Sequence, residues 1–177
     1  MKVFRAVFLA LALGVFAPGL HAAMTKMRVP FNFQWGESAA RVERSLEGIQ
    51  ARIVDRKTLQ SRQVLIVEGI PQKQLVRALF YFSNDALNEI ELQYGDTSWD
   101  SSRYVAFFDE VRRNVDGKYG TGRMIVRDKT RDPDTDILQT LIGYQWIQDF
   151  MSLRLFLFSG EKDEKGYRIL SLHYKEV

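Results

Sequence analysis

The stretch of residues 99–120 most constrains the fold, because it carries a sustained helical pattern in a chain whose other apolar residues mostly follow strand-like patterns. Its apolar stripe consists of Tyr104, Phe107, Phe108, Val111 and Val115. Spacings of three and four residues place these side chains on one face of a helix. Because an apolar face must be covered, we expect this helix to pack against a sheet.

The ends of this predicted helix are marked by residues that suit helix termini. Asp100 or Ser101 can accept a hydrogen bond from an unpaired backbone N–H of the first turn. Gly117 and Gly120 tolerate the backbone conformations at which a helix stops. A second, shorter helix is predicted after Ser38 and ends near residue 49.

The remaining pattern predicts strands. Residues 75–82 and 87–94 form a predicted hairpin around a polar turn at 83–85. Alternation of Phe31, Phe33 and Trp35 with polar residues predicts an early strand. Three further strands are predicted over residues 138–147, 152–158 and 167–174, with a polar turn at 159–166 before the last.

This element order predicts an α+β fold, with two helices packed on one face of a mainly antiparallel sheet. The helices are introduced by W-G-E-S at 35–38 and W-D-S-S at 99–102, which suggests two α-then-β units. We therefore expect one α+β domain over residues 24–177 that divides into halves 31–95 and 96–177.

The N-terminus has the pattern of a secretory signal peptide over residues 1–23. Lys2 and Arg5 precede an apolar run, and the small residues Ala22 and Ala23 offer the cleavage site. The apolar run is shorter than the roughly 18 to 20 residues of a membrane-spanning helix. The sequence contains no cysteine, so neither a lipid anchor nor a disulfide is available. We expect a periplasmic or secreted protein that is not a lipoprotein.

The charge balance indicates which partners to expect. Loss of Lys2 and Arg5 with the leader leaves 23 basic residues against 22 acidic ones, a net charge of +1. Long-range attraction to phosphates requires a concentrated basic surface. We therefore predict no nucleic-acid partner. Because no later apolar run is comparable to that of the leader, we also predict no integral membrane segment in the mature chain.

Four short motifs punctuate the chain: F-x-W-G-x-S-x-x-x-V at 33–42, F-Y-F-S-N-D-A-L-N-E-I-E-L-Q-Y at 80–94, K-Y-G at 118–120 and L-H-Y at 172–174. They resemble a pattern in small exported bacterial proteins. The fold of such proteins is similar to that of β-lactamase inhibitor protein and of the small lipoprotein of the outer-membrane β-barrel assembly machinery. The resemblance implies an α+β fold but no catalytic or ligand residue, and the chain lacks the lipobox cysteine and the disulfides of those two proteins.

The only histidine after the leader is His173, so a Ser–His–Asp arrangement would have to use it. No G-x-S-x-G motif is present. Structural and hydrolytic zinc sites need several His or Cys ligands, which this chain does not offer. We predict an ordinary strand position for His173, no enzymatic activity, and no catalytic, cofactor-binding or metal-binding residue.

Two groups of acidic residues have spacings that invite comparison with known sites. Asp132, Asp134 and Asp136 have the spacing with which calcium loops begin, but the later Gly and Glu positions of an EF-hand are not matched. We expect a solvated loop there and leave cation binding open. Glu89 and Glu91 alternate with apolar residues, which predicts a solvated sheet face rather than a glycosidase pair.

The predicted function is that of a non-catalytic binding or inhibitor-like protein that acts on an envelope protein through its sheet face. Tyr144, Trp146 and Gln148 are the candidate partner surface, because aromatic residues often anchor interfaces. The alternative is a carrier or sensor of a small apolar ligand held between helix and sheet. An internal pocket of several hundred Å³ would favour that alternative, and a solid core would exclude it.

Overall fold

The computed structural model describes residues 25–162 and 165–177, and the predicted signal peptide lies outside these ranges. An irregular N-terminal segment contains one 3₁₀ turn, Pro30–Asn32. The regular elements are α1 (Ala39–Gly48), β1 (Arg52–Leu59), β2 (Arg62–Glu68), β3 (Leu75–Ser83), β4 (Ala86–Tyr94), α2 (Ser101–Tyr119), β5 (Arg123–Arg131), β6 (Leu138–Gln148), β7 (Met151–Lys162) and β8 (Lys165–Glu176).

The eight strands form one sheet in the order β1-β2-β3-β4-β8-β7-β6-β5, and all neighbours are antiparallel. Each helix is followed by four strands, and the two sets of strands meet at the central pair β4 and β8. The predicted α+β class and the two α-then-β units are therefore confirmed.

Both helices pack on the same side of the sheet. Val42 and Leu46 of α1 belong to the same buried core as Phe107 and Phe108 of α2, together with the fully buried Phe80 of β3. These helical residues recur at helical spacings, as an amphipathic helix on a sheet requires. One apolar layer therefore lies between the helices and the sheet.

Side chains cap both helices at the predicted positions. Asp100 Oδ1 accepts a hydrogen bond from the backbone N–H of Arg103 at 2.7 Å, and Ser38 Oγ accepts one from Arg41 at 3.4 Å. Gly120 follows α2 with a φ of 85°, which favours glycine. No helix in the part of the chain that the structure describes is both long and apolar enough to cross a lipid bilayer.

The predicted hairpin over β3 and β4 is confirmed. Its turn residues Asn84 and Asp85 have φ values of 50° and 61°, in the left-handed region that Asn and Asp tolerate. Asp85 Oδ1 also accepts a hydrogen bond from the backbone N–H of Ala39 at 3.0 Å. The hairpin turn is thereby attached to the start of α1.

The early strand predicted from Phe31, Phe33 and Trp35 is wrong. Phe31 and Asn32 have φ values of 59° and 61°, so the chain turns where a strand would continue. The Phe33 ring packs edge-on against Phe80 with centroids 5.2 Å apart. The alternation therefore reflects which rings reach the core and not pairing in a sheet.

The strands of the second half are longer than predicted. β7 and β8 extend through most of the polar turn predicted at 159–166, and only residues 163–164, which lie outside the described ranges, separate them. Polar residues such as Glu161 are held in the ladder because a paired neighbour satisfies their backbone groups. The run of polar residues therefore predicts a turn that begins before the point at which β7 ends.

Candidate functional site

The face of the sheet opposite the helices, hereafter the open face, is covered by no helix of the described chain. Side chains alternate between the two faces of a strand. Ile90 and Leu92 of β4 point into the core, so the intervening residues point to the open face. On the two central strands these open-face residues are Glu89, Glu91, Gln93, Ser171, His173 and Lys175.

A hydrogen-bonded group of side chains occupies the middle of the open face. His173 Nδ1 lies 3.1 Å from Glu89 Oε1, and His173 Nε2 lies 3.0 Å from Ser171 Oγ. Glu89 Oε2 accepts a hydrogen bond from Arg62 Nη1 at 2.7 Å. We call the whole group the central polar cluster; it consists of Arg62, Tyr81, Glu89, Glu91, Ser171 and His173.

The second carboxylate of the cluster is equally constrained. Glu91 Oε2 accepts a hydrogen bond from the Tyr81 hydroxyl at 2.6 Å, and its Oε1 accepts one from Gln93 Nε2 at 2.6 Å. The Arg62 guanidinium lies 4.6 Å above the Tyr81 ring, as in a cation–π contact. Glu91 is buried, which corrects the prediction that this face is solvated, because neighbouring side chains shelter one another even without a helix above them.

The environment shifts two ionisable groups of the cluster. Burial alone would raise the pKa of Glu89, but hydrogen bonds from His173 and Arg62 outweigh it and lower the pKa to about 2. Burial and the hydrogen bond to Glu91 raise the pKa of the Tyr81 hydroxyl far above its ordinary value. Glu89 is therefore ionised, and because a carboxylate only accepts hydrogen bonds, His173 Nδ1 carries the proton between them.

Hydrogen bonds link Ser171 to His173 and His173 to Glu89, as they link the nucleophile, the base and the orienting acid of a catalytic triad. Acyl transfer also requires access to the hydroxyl and free N–H groups that bind an oxyanion. Ser171 is only 5% exposed, and it is paired in the ladders on both sides, with Gln93 and Phe156. The arrangement can hold charges and proton positions in place, but its backbone does not supply an oxyanion site.

Cations without acidic partners surround the cluster. Within the described ranges, no carboxylate oxygen lies within 4 Å of the charged nitrogens of Arg77, Arg123, Arg154 or Lys175. Arg154 stands directly opposite His173 in the ladder, and its buried Nε has no hydrogen-bond partner. The open face thus carries unpaired positive charge around two carboxylates that are already engaged.

The structure corrects the predicted exposure of Trp146. Its side chain is only 3% exposed and lies on the helix side of the sheet. The indole Nε1 lies 3.0 Å from Asp116 Oδ1 and 2.9 Å from the carbonyl oxygen of Gly120, so it donates to the C-terminal end of α2. Trp146 therefore anchors α2 to β6.

Tyr144 and Gln148 lie on the same helix-facing side as Trp146. Tyr144 is half-buried, with its ring 6.1 Å from Phe108 and beneath the Arg112 guanidinium. Gln148 Oε1 accepts a hydrogen bond from the backbone N–H of Met27 at 2.5 Å and holds the N-terminal segment. The three residues predicted as an exposed recognition surface are engaged in internal contacts, because the register of β6 points its even-numbered residues toward α2.

The acidic loop is organised by its own hydrogen bonds. Asp132 Oδ1 accepts from the backbone N–H groups of Asp134 and Thr135 at 2.9 Å, and Asp136 Oδ1 pairs with Arg131 at 2.8 Å. The carboxylates are thereby directed to different partners. Among the described residues, no group of three or more acidic or histidine side chains lies close enough together to hold a metal ion.

The space between α2 and the sheet is small. A cavity of about 190 Å³ there is bordered by Tyr104, Ile142 and Leu157. Ligand sites usually enclose roughly 300 to 1,000 Å³. Larger cavities lie elsewhere: one of about 480 Å³ at the open-face end of β6, β7 and β8, and one of about 510 Å³ beside the N-terminal segment.

Sequence reasoning missed the central polar cluster although part of the signal was present. Glu89 and Glu91 alternate with apolar residues, and so do Ser171 and His173. Each alternation indicates one polar face on its strand. Nothing local indicates that these two faces adjoin, because β4 and β8 lie some 80 residues apart in the chain.

Comparisons with protein-family models, with curated proteins and with solved structures give no match to this chain. The resemblance to small exported bacterial proteins stays a prediction from the four motifs.

Proposed function

We propose that this protein is an exported, non-catalytic binding protein that recognises a protein of the cell envelope through the open face of its sheet. The observation that carries the proposal is the central polar cluster, a rigid and sheltered group of charges on a face that no helix of the described chain covers.

Preorganisation supports binding. Each side chain that must be immobilised on association costs free energy, and the cluster has already ordered its members through hydrogen bonds of 2.6 to 3.1 Å. A partner that docks there meets a fixed pattern of donors and acceptors. Fixed polar patterns give an interface its specificity.

The charge of the open face supports a partner with acidic residues. Arg154 and Lys175 lack a carboxylate within 4 Å in the described chain, whereas Glu89 is already paired with Arg62 and His173. A carboxylate from a partner would complete the pairing of these cations.

The absence of a backbone oxyanion site beside Ser171 favours binding over catalysis. A direct test uses a fluorophosphonate probe, which labels activated serines. We expect no labelling of the purified protein. Labelling that disappears in the Ser171→Ala variant would contradict the non-catalytic proposal.

The binding proposal is tested by capture from an envelope extract with two matched double variants. Arg154→Gln with Lys175→Gln removes two positive charges from the open face, and Lys73→Gln with Arg113→Gln removes two from exposed positions elsewhere. We expect the wild-type protein and the second variant to retain the same protein, and the first variant to lose it. Equal retention by all three would overturn the role of the open face.

Export is tested separately. We expect osmotic shock to release the protein from a Gram-negative host, with an N-terminus at Ala23 or Met24 as the predicted cleavage requires. Retention in the cytoplasm with Met1 intact would contradict the localisation.

A further inference from the structure

The cavity of about 510 Å³ lies between the N-terminal segment and the turn that joins β6 to β7, on a part of the molecule that the open-face proposal does not use. Its volume falls within the usual range of small-molecule sites. Its apolar wall is formed by Met27, Val29, Phe33, Trp35, Phe150 and Met151.

Hydrogen bonds and ring packing hold the wall in place. Gln148 accepts from the backbone N–H of Met27 and donates through Nε2 to the carbonyl oxygen of Thr25 at 3.4 Å. Phe33 is fixed from below by its edge-on contact with Phe80. Both sides of the cavity are thus tied to each other and to the core.

The backbone beside the cavity contains one conformation that is costly for a residue with a bulky side chain. Asn32 and Asp149 in the lining have φ values of 61° and 51°, which Asn and Asp tolerate, whereas Phe31 has a φ of 59°, which is an outlier for a bulky residue. Such conformations persist only where the surrounding structure enforces them, and they cluster at functional sites.

The rim combines an exposed aromatic ring with two cations. Phe150 is 76% exposed, although burial of an aromatic side chain is strongly favourable. Lys26 and Arg28 are both exposed, stand on either side of the buried Met27 in the chain, and both border the cavity. Neither has a carboxylate oxygen within 4 Å in the described ranges, and Asp149 is the single acidic residue of the lining.

We propose that this cavity binds a single-chain amphipathic carboxylate. The hydrocarbon chain lies against the aromatic and methionine wall, and the carboxylate lies at the rim beside Lys26 and Arg28. The apolar wall supplies affinity by removing the chain from water, and the excess positive charge of the rim selects an anionic head group.

The test titrates the protein, expressed from its full coding sequence, with sodium dodecanoate below its micelle concentration in a calorimeter. Dodecyltrimethylammonium is the matched probe with the same chain and the opposite charge. We expect saturable binding of one dodecanoate and binding of the cation that is weaker by about tenfold or more, because the two rim cations together attract the anionic head group and repel the cationic one. No saturable binding, or equal binding of both probes, would overturn the proposal.

Variants place the ligand on the molecule. Lys26→Gln with Arg28→Gln should weaken dodecanoate binding by about tenfold, whereas Lys73→Gln with Arg113→Gln, which removes the same charge elsewhere, should leave it unchanged. Phe150→Ala should also weaken binding, and Tyr167→Ala, at another exposed aromatic position, should not. Unchanged binding in the Lys26 and Arg28 variant, with an intact fold by circular dichroism, would overturn the proposal.

Discussion

Glu89 and His173 are separated by 84 positions in the chain, yet Glu89 Oε1 and His173 Nδ1 lie 3.1 Å apart. The contact joins β4 of the first α-then-β unit to β8 of the second. It therefore connects the two halves of the sheet through side chains as well as through the backbone ladder.

The first prediction concerns acid stability. The pKa of Glu89 is about 2 in the folded protein against an ordinary value of 4.5, so between these pH values the unfolded chain binds more protons and stability falls as the pH falls. We expect Glu89→Gln to be less stable than wild type at pH 7 by up to about 3 kcal/mol, with the difference vanishing near pH 2. Urea unfolding of both proteins between pH 7 and about pH 2 measures this difference in stability. A difference that does not change with pH would contradict the prediction.

The second prediction concerns the coupling between Glu89 and His173. A double-mutant cycle with Glu89→Gln and His173→Gln should give a coupling of about 1 to 3 kcal/mol, because both side chains are largely sheltered from water. The exposed pair Asp55 and Lys57, 3.1 Å apart, is the control. Its coupling should stay below about 1 kcal/mol. Equal couplings would show that the shelter of the open face has no energetic effect.

The third prediction concerns Gly122, which lies against Trp146. A Cβ at Gly122 would stand 2.4 Å from Trp146 Cε2, whereas a Cβ at Gly117 would meet no atom within 4 Å. We expect Gly122→Ala to destabilise the protein by about 1 to 3 kcal/mol through overpacking. Gly117→Ala, in the helix α2, should stabilise it by up to about 1 kcal/mol. Thermal unfolding distinguishes the two, and similar midpoints would argue against the close packing of Trp146.

The fourth prediction concerns the helix that the sequence specifies most clearly. Phe108 is 4% exposed in the core, so Phe108→Ala should cost about 3 to 5 kcal/mol. Val105, on the exposed side of α2, provides the control, and Val105→Ala should change stability by less than about 0.5 kcal/mol. A Phe108 variant that unfolds at the wild-type temperature would show that α2 does not organise the core.

Features that depend on neighbouring residues could be predicted from the sequence, whereas features that depend on the pairing of distant strands could not. The ends of α2 were predictable because Asp100 and Gly120 act within one helical turn. The hairpin of β3 and β4 was predictable because Asn84 and Asp85 define a local turn. The exposure of Trp146 was not, because the register of β6 against its neighbours decides which face its side chain takes.

By itself, the sequence determined the local elements: two amphipathic helices, the hairpin of β3 and β4, and the alternation of apolar with polar residues in the middle of β4 and at the end of β8. Periodicity and capping are properties of neighbouring residues, so they can be read from the sequence. Only the tertiary structure decided that β4 and β8 lie side by side and bring Arg62, Glu89 and His173 into one cluster. The physical reason is that strand order in a sheet is set by burial of the whole apolar face beneath both helices, which no local pattern encodes.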